Sequence, residues 1–232
     1  MKYKNISRGI FIDRPNRFIA NVEINGEIHV CHVKNTGRCK ELLIKGSTVY
    51  LERSDNPLRK TEYDLIAVQK GEKLINIDSQ APNKAVREWL EAVKPFGEDM
   101  EIYPEFTYGN SRLDFLLKSN KTDRKLFLEV KGCTLEENGA VYFPDAPTLR
   151  GIKHLDELIK CTEAGSEAAI LMLIQMNNVK YFSPNYKTHP EFGEKLKEAK
   201  KKGVKILCFD CNVTGESLTV GNPVPIKLEC ER

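Results

Sequence analysis

The chain lacks any long apolar run, and this absence argues against a membrane-spanning architecture. Among its 232 residues, 41% are hydrophobic and 30% are charged. No window approaches the about 18 consecutive apolar residues that a spanning helix requires. The first residues, MKYKNISRGIF, also lack the apolar centre of a signal peptide. We therefore expect a cytoplasmic protein without a membrane partner, long enough for one large domain or two modest ones.

Paired cysteine motifs are also scarce. Seven cysteines are an odd number, which in a chain of this size without an export signal favours reduced thiols over disulfides. Cys208 and Cys211 form a lone CxxC, and the sequence has no second pair with zinc spacing. We interpret both as small apolar residues near a strand end, and the alternatives of a redox pair or half a zinc site stay open.

The net charge of +3 is small, but its distribution is uneven. Residues 1–60 hold 12 Lys and Arg against 6 Asp and Glu, which leaves 24 against 27 in the rest of the chain. Such asymmetry suits a polyanion, most simply nucleic acid, although a solvated charged face is the commoner cause of any single cluster. The basic residues expected to contact phosphates are Arg14, Arg17, Lys34, Arg38 and Lys40.

Short β-rich runs separated by turn signals fill residues 8–78. Two of them meet at Asn25-Gly26, a dipeptide that favours a tight type I′ hairpin because both positions need positive φ. Further strands are expected at 48–53, 63–69 and 74–77. About five short strands in this space predict a small barrel, and an OB-like barrel is the form most used for nucleic acid. We assign residues 1–80 to this basic, all-β domain.

Helical periodicity begins near Pro82. Asn83 is the expected N-cap of a first helix, whose apolar stripe contains Val86, Trp89 and Leu90. Strands are expected at 101–108, 112–117, 125–131, 168–175 and 204–210, and further helices at 148–164 and 190–202. Helices interleaved with mostly apolar strands predict an α/β domain with a mixed sheet over residues 81–232.

Charged residues interrupt the apolar strand KLFLEVKGCTL, which runs from Lys125 to Leu135. Strand alternation puts Glu129 and Lys131 on one face and leaves the other face apolar. In the preceding strand, SRLDFLL, Asp114 belongs to the polar face and Leu113 to the apolar one. If the two strands form a symmetric hairpin about the loop between them, Asp114 lies opposite Glu129, with Cβ atoms about 5 Å apart.

Two facing carboxylates repel each other unless a cation lies between them. Mg²⁺ is a natural candidate, since it takes oxygen ligands and commonly uses one or two carboxylates together with waters and phosphate oxygens. Asp114 and Glu129 are the predicted metal ligands. Lys131 would hold a metal-bound water, the nucleophile, or stabilise the charge of a phosphodiester under attack. The spacing alone is a weak signal, because Glu-x-Lys is common on exposed strands, and this alternative stays open.

The segment FPDAPTLRGIKHLDELIK adds a basic helix. Thr148 is the expected N-cap, and the spacing collects Arg150, Lys153, His154 and Glu157 on one helical face. Beside a carboxylate pair, this face would offer phosphate-binding cations. The alternative is a solvated helix face on which His154 is an ordinary surface residue.

Five ordered segments together resemble the sugar fermentation stimulation protein A family of bacteria and archaea. They are HVKNTGRCKELL, NKAVREWLE, YGNSRLDFLL, LEVKGCTL and FPDAPTLRGIKHLDEL, and the resemblance extends over essentially the whole chain. It implies an amino-terminal OB-like barrel followed by a restriction-endonuclease-like domain of the PD-(D/E)xK nuclease kind. Position by position, Asp114, Glu129 and Lys131 correspond to the catalytic triad, and Glu88 to an additional acid, although Glu88 lies opposite the apolar stripe of its helix.

The resemblance also implies DNA binding of low sequence specificity and a link to the regulation of sugar use, notably of maltose. Two functions stay open. The first is a Mg²⁺- or Mn²⁺-dependent nuclease in which Arg150 or Lys153 contacts phosphate. The second is a non-catalytic DNA-binding regulatory protein that keeps the nuclease-like domain as a scaffold. We expect DNA binding more firmly than cleavage, and the natural substrate and the formation of a homodimer stay open.

Overall fold

The computed structural model of the chain describes residues 1–35, 37–109 and 111–229. The strands of the first half are β1 (Ile6–Asn16), β2 (Ile19–Ile24), β3 (Glu27–Val33), β4 (Thr48–Arg53), β5 (Tyr63–Lys70) and β6 (Lys73–Asn76). They are followed by α1 (Ala81–Val93), β7 (Met100–Tyr108), β8 (Ser111–Ser119), β9 (Lys125–Cys133), β10 (Leu135–Glu137), β11 (Ala140–Phe143), α2 (Leu149–Glu163), β12 (Glu167–Ile174), β13 (Tyr181–Pro184), α3 (Pro190–Lys201), β14 (Lys205–Val213) and β15 (Leu218–Pro223). No helix within the described ranges is long and apolar enough to cross a membrane.

The first five strands close into a barrel. Antiparallel pairs join β3 to β2, β2 to β1, β1 to β4 and β4 to β5, and a parallel pairing of β3 with β5 completes the ring. The β2–β3 turn has positive φ at both Asn25 (53°) and Gly26 (86°), as the dipeptide predicts. The predicted OB-like barrel is confirmed, with β6 added to the edge of β5.

The second half of the chain is built on a six-stranded sheet in the order β15-β14-β12-β9-β8-β7. Strands β9, β12 and β14 run parallel to one another, and the outer pairs are antiparallel, so the predicted mixed sheet is confirmed. The apolar stripe of α1 packs on one face, and α2 and α3 pack on the other. Because β9 lies in the middle of this sandwich, most of its side chains are buried.

Polar side chains join the barrel to the end of β12. The backbone N–H of Asn76 donates to the carbonyl of Gln175 at 2.9 Å, and the Gln175 side chain donates to Asn76 Oδ1 at 2.8 Å. The same amide donates to the carbonyl of Asp78 at 3.1 Å. All three side chains are buried, so this connection fixes the barrel beside the carboxyl ends of β9 and β12.

Two local predictions are wrong. Asn83 is not the N-cap of α1; the N-cap is Gln80, Pro82 stands in the first turn, and the Asn83 amide is used elsewhere. Leu113 does not share a core with Phe115 and Leu117, since it packs with Leu116 on the α2 side of the sheet. The pleat is interrupted at this point: Glu105, which would pair with Asp114, has φ +54°, and neighbouring pairs skip this position.

The sheet separates the two cysteines of the CxxC motif. Cys208 packs in the core on the α2 side and Cys211 in the core under α1. Burial raises the pKa of the Cys208 thiol to about 12 and that of Cys211 further above its usual value. Both therefore behave as buried apolar side chains, in agreement with the interpretation from sequence.

Candidate functional site

The hairpin of β8 and β9 brings the two predicted acids together. Its register pairs Phe115 with Leu128, as the midpoint of the connecting loop predicts, and the next step along both strands brings Asp114 to Glu129. Regular pairing ends at Phe115 and Leu128, and just beyond it Asp114 Oδ2 accepts a hydrogen bond from the backbone N–H of Val130 at 2.8 Å. The two acids therefore lie at the place where the strands begin to separate.

Helix α1, which packs on the face of the sheet opposite α2, supplies a second hydrogen-bond partner for Asp114. The side-chain amide of Asn83 donates to Asp114 Oδ1 at 2.7 Å. Both oxygens of this half-buried carboxylate therefore have a protein donor, which holds the group in one orientation. The sequence predicted the acid but not this partner, because an asparagine in the first turn of a helix has no pattern that distinguishes a cap from a long-range contact.

Helix α2 supplies an unexpected partner for Glu129. His154 is 4% exposed, and its Nδ1 contacts Glu129 Oε1. Lys131 Nζ donates to the same oxygen at 2.6 Å and lies 3.2 Å from the imidazole. The interpretation of His154 as a surface residue is wrong, and one signal could have corrected it: Leu158 and Cys161 follow at i+4 and i+7, which places the histidine on the buried side of the helix.

The electrostatic environments of the two acids differ. Burial, and then the charge of Glu129, raise the pKa of Asp114 in spite of its hydrogen bonds from Val130 and Asn83. Burial also tends to raise the pKa of Glu129, but the hydrogen bond from His154 and the charge of Lys131 outweigh it and bring that pKa below its usual value. Glu129 is therefore the established anion of the pair, and Asp114 is the acid whose ionisation a nearby cation would favour.

One oxygen of this pair fits a hard cation. Glu129 Oε2 is buried and has no hydrogen-bond partner in the described part of the chain, whereas Oε1 is saturated by Lys131 and His154. A buried carboxylate oxygen beside a second acid is unfavourable unless a hydrogen-bond donor or a cation reaches that oxygen itself. No cluster of three or more His, Cys, Asp and Glu ligands is present in the described ranges. The donor set thus suits an ion such as Mg²⁺ that binds two carboxylates and completes its shell with waters and phosphate oxygens.

Helix α2 also carries the predicted basic residues, one of which reaches His154. Thr148 is the N-cap, as predicted, with its hydroxyl accepting from the Gly151 N–H at 2.9 Å. Arg150 and Lys153 are exposed, and Arg150 Nε donates to His154 Nε2 at 3.3 Å. Arg150 therefore belongs to the hydrogen-bond network behind the acids, in addition to any contact its exposed guanidinium makes with phosphate.

Glu88 lies outside this network. Its carboxylate is 59% exposed and is paired with the Met1 amino group at 2.5 Å. Asn83, on another face of the same helix, is the α1 residue that reaches Asp114. The expectation that Glu88 adds a further acid to the site is not supported by this position, and the solvent-exposed placement inferred from its helical periodicity is observed.

The five basic residues predicted in the barrel divide into two groups. Arg14 binds backbone carbonyls, and Lys34 lies among acids, with Nζ 2.9 Å from Asp64, so neither side chain is directed at solvent. The expectation that these two contact phosphates directly is therefore wrong. Arg17, Arg38 and Lys40 are exposed, as a phosphate-binding role requires.

The fold and the site define a class of protein: an OB-like barrel followed by a restriction-endonuclease-like domain that presents Asp, Glu and Lys on adjacent strands. The chain belongs to the sugar fermentation stimulation protein family. The family's N-terminal OB domain matches residues 12–77, and the sugar fermentation stimulation protein RE domain matches residues 80–217.

Relatives of similar length support this membership. The sugar fermentation stimulation protein homolog of Desulfitobacterium hafniense is 57% identical over 98% of this chain and 99% of its own. The homolog of Ruminiclostridium cellulolyticum is 54% identical over 98% of this chain and 100% of its own. Among solved structures, SfsA of Pyrococcus furiosus in complex with Ca²⁺ is 32% identical and superposes with a TM-score of 0.87 over 98% of both chains.

Proposed function

We propose that this protein binds DNA with low sequence specificity and that Asp114, Glu129 and Lys131 form a Mg²⁺- or Mn²⁺-dependent nuclease site. The observation that carries the proposal is the buried, unpartnered Glu129 Oε2 next to a second carboxylate. The Pyrococcus furiosus relative was solved with Ca²⁺, a cation that prefers oxygen ligands as Mg²⁺ does, and this supports a divalent-cation site in the family.

Each residue has a distinct role in this proposal. Asp114 and Glu129 would hold the cation, which supplies Lewis-acid stabilisation of the phosphate charge when it is bound. Lys131, whose side chain is 14% exposed, would stabilise the negative charge that develops on a phosphodiester under attack. Arg150 and Lys153 would hold neighbouring phosphates from the exposed side of α2. The name shared by the relatives refers to the stimulation of sugar fermentation and supports a role in sugar use. The link to maltose regulation stays a prediction from the family resemblance.

One observation favours the second candidate function, a non-catalytic DNA-binding regulatory protein. Both oxygens of Asp114 already accept hydrogen bonds from protein groups, as suits an acid that stabilises the scaffold without a metal. Such a protein would still bind DNA through the exposed basic residues, with an affinity that falls as salt rises.

Cleavage assays distinguish the two functions. The purified protein should be incubated with single-stranded, double-stranded and branched DNA and with RNA, with Mg²⁺ or Mn²⁺ and with chelator. A nuclease is expected to cut at least one DNA substrate, to stop with chelator, and to lose activity on Asp114→Ala but not on Asp123→Ala, a matched change on an exposed loop. Intact substrates in every condition, with binding that persists in chelator, would instead establish the non-catalytic function.

A further inference from the structure

The turn between β1 and β2 exposes an aromatic ring in a basic setting. Phe18 is 44% exposed, and the Arg17 guanidinium lies over one face of its ring, with its central carbon 4.8 Å from the ring centre. A single exposed apolar residue is common on protein surfaces and needs no explanation by itself. The rigid support of this ring and the residues around it make the position informative.

Four hydrogen bonds fix the backbone that carries the ring. Asn16 Oδ1 accepts from the N–H of Phe18 at 2.9 Å and from that of Ile19 at 3.1 Å. The carbonyl of Phe18 accepts from the Val33 N–H at 2.7 Å, which attaches the turn to β3. The fourth bond, at 2.6 Å, joins the Arg17 carbonyl to the guanidinium of Arg14. The ring is therefore presented to solvent on an ordered turn.

Arg14 also attaches the turn to a second loop. Its guanidinium donates to the carbonyls of Asn35 at 2.7 Å, Gly37 at 2.9 Å and Arg38 at 2.8 Å. This arrangement gathers the exposed side chains of Arg17, Arg38 and Lys40 around a cleft of about 290 Å³. No acidic side chain is among the described residues that line it. Arg14 is thus a positioning residue for this basic cleft.

The basic cleft leads towards the candidate metal site. Gly37 lines both this cleft and a neighbouring cavity of about 160 Å³ between the barrel and the second domain. Gly132, which directly follows Lys131, lines the same cavity on the other side. Neither glycine has room for a Cβ: the added atom would lie 2.5 Å from Asp145 Oδ2 at Gly37 and 2.4 Å from Gln175 Oε1 at Gly132. The basic cleft therefore adjoins, at Gly37, a cavity that reaches the residue next to Lys131.

We propose that this surface, Phe18 with the basic cleft, binds single-stranded DNA. An unpaired base takes the place of the Arg17 guanidinium on the Phe18 ring, and Arg17, Arg38 and Lys40 hold the phosphates. A ring offers its face only to a base that has left its own stack, and a row of cations beside it matches a phosphate backbone. The inference rests on the proposed DNA binding and makes it more specific: the substrate is single-stranded or carries a single-stranded branch.

Fluorescence anisotropy of the full chain in chelator tests this inference, since chelator prevents cleavage during the measurement. The probes are a labelled oligo(dT) of about 20 nucleotides and a duplex of the same length. Phe18→Leu is expected to weaken oligo(dT) binding about 5- to 100-fold and duplex binding less than about twofold, because only the unpaired base stacks. Phe18→Trp keeps an aromatic ring at this position and is expected to bind oligo(dT) about as tightly as the unaltered protein does. The fluorescence of the introduced indole should be quenched when oligo(dT) is added.

Tyr103→Leu is the matched control, since Tyr103 is an exposed aromatic residue of similar accessibility (42%) on β7. It should leave both affinities unchanged. Unchanged oligo(dT) affinity in Phe18→Leu, or an equal loss for both probes, would overturn the inference while leaving DNA binding in place. If neither probe binds the unaltered protein at low salt, the proposed function fails as well, so the two failures are distinguishable.

Discussion

Arg150 Nε donates a hydrogen bond to His154 Nε2 at 3.3 Å. Because Nε2 accepts this bond, a ring proton is assigned to Nδ1, from which it is donated to Glu129 Oε1. Lys131 then directs its own proton to the same carboxylate oxygen. The series of hydrogen bonds from Arg150 through His154 orients the Glu129 carboxylate. It leaves Glu129 Oε2 as the oxygen available to a cation.

Removal of the imidazole should weaken metal binding. His154→Leu deletes the donor that orients Glu129, and loss of such an outer partner costs about 10- to 100-fold in metal affinity. His154→Gln keeps an N–H donor and should retain more of the affinity. Calorimetric titration with Mn²⁺ in the absence of DNA measures the effect. His29→Leu, at a half-exposed position on β3, is the control, and equal affinities in His154→Leu and the control would contradict this role.

Glu88 provides a second test of the site's composition. Since its carboxylate is exposed and paired with Met1, Glu88→Gln should leave Mn²⁺ affinity within about twofold of the unaltered protein. Asp114→Asn removes a charged ligand and should lower the affinity at least about tenfold. The same titration measures both variants. A tenfold loss in Glu88→Gln would restore Glu88 to the site, as the family resemblance implies.

The parts of the site that depend on local geometry could be predicted from sequence. Strand alternation and the symmetry of one hairpin loop were sufficient to bring Asp114 to Glu129, because both depend on residues close together in the chain. The partners supplied by α1 and α2, Asn83 and His154, depend on how helices dock on a sheet, and no local periodicity specifies which polar residue meets which acid. In the barrel, composition predicted a basic region, and three of its five named residues, Arg17, Arg38 and Lys40, are exposed.

Composition could not distinguish basic side chains that bind other groups of the protein from basic side chains that are exposed to solvent. No sequence pattern distinguishes Arg14 and Lys34 from Arg17 and Arg38. In the structure, however, Arg14 donates to the Asn35 carbonyl and Lys34 pairs with Asp64, and both partners are distant in sequence. A basic residue is directed inwards only when the fold places acceptors around it, and that requires tertiary structure. The same limit applies to Leu113. The side of the sheet on which this side chain is buried depends on the interruption of the pleat at Asp114.

Asp64 makes the stability of the barrel dependent on acid pH. Burial tends to raise the pKa of its carboxyl, but hydrogen bonds from Arg59 and Lys34 outweigh burial and bring that pKa to about 2. A pKa that is lower in the folded state than in the unfolded one stabilises the fold while the group is ionised. This contribution, roughly 2 kcal/mol, should be complete above about pH 5 and be lost as the pH falls towards 2.

Urea unfolding at stepped pH measures this contribution. The difference in unfolding free energy between the unaltered protein and Asp64→Asn should shrink by roughly 2 kcal/mol between about pH 5 and pH 2, because only the aspartate can lose its charge. Asp123→Asn, at an exposed loop position, should follow the unaltered protein. A difference that stays constant across this range would show that Asp64 is not held as an anion by its partners.

The contrast between Arg14 and Arg17 separates structural support from nucleic-acid contact within one turn. Arg14→Gln removes hydrogen bonds to four carbonyls and should lower the free energy of unfolding by about 1–3 kcal/mol. Arg17→Gln, at an exposed position, should change stability by no more than about 0.5 kcal/mol. It should instead reduce the dependence of log affinity on log salt by about 0.7 for a single strand, because one phosphate contact is lost. Urea unfolding measures the stability, and anisotropy titrations at several salt concentrations measure the dependence of affinity on salt. If Arg14→Gln leaves the stability unaltered but reduces the salt dependence, Arg14 contacts phosphate directly, as the sequence predicts.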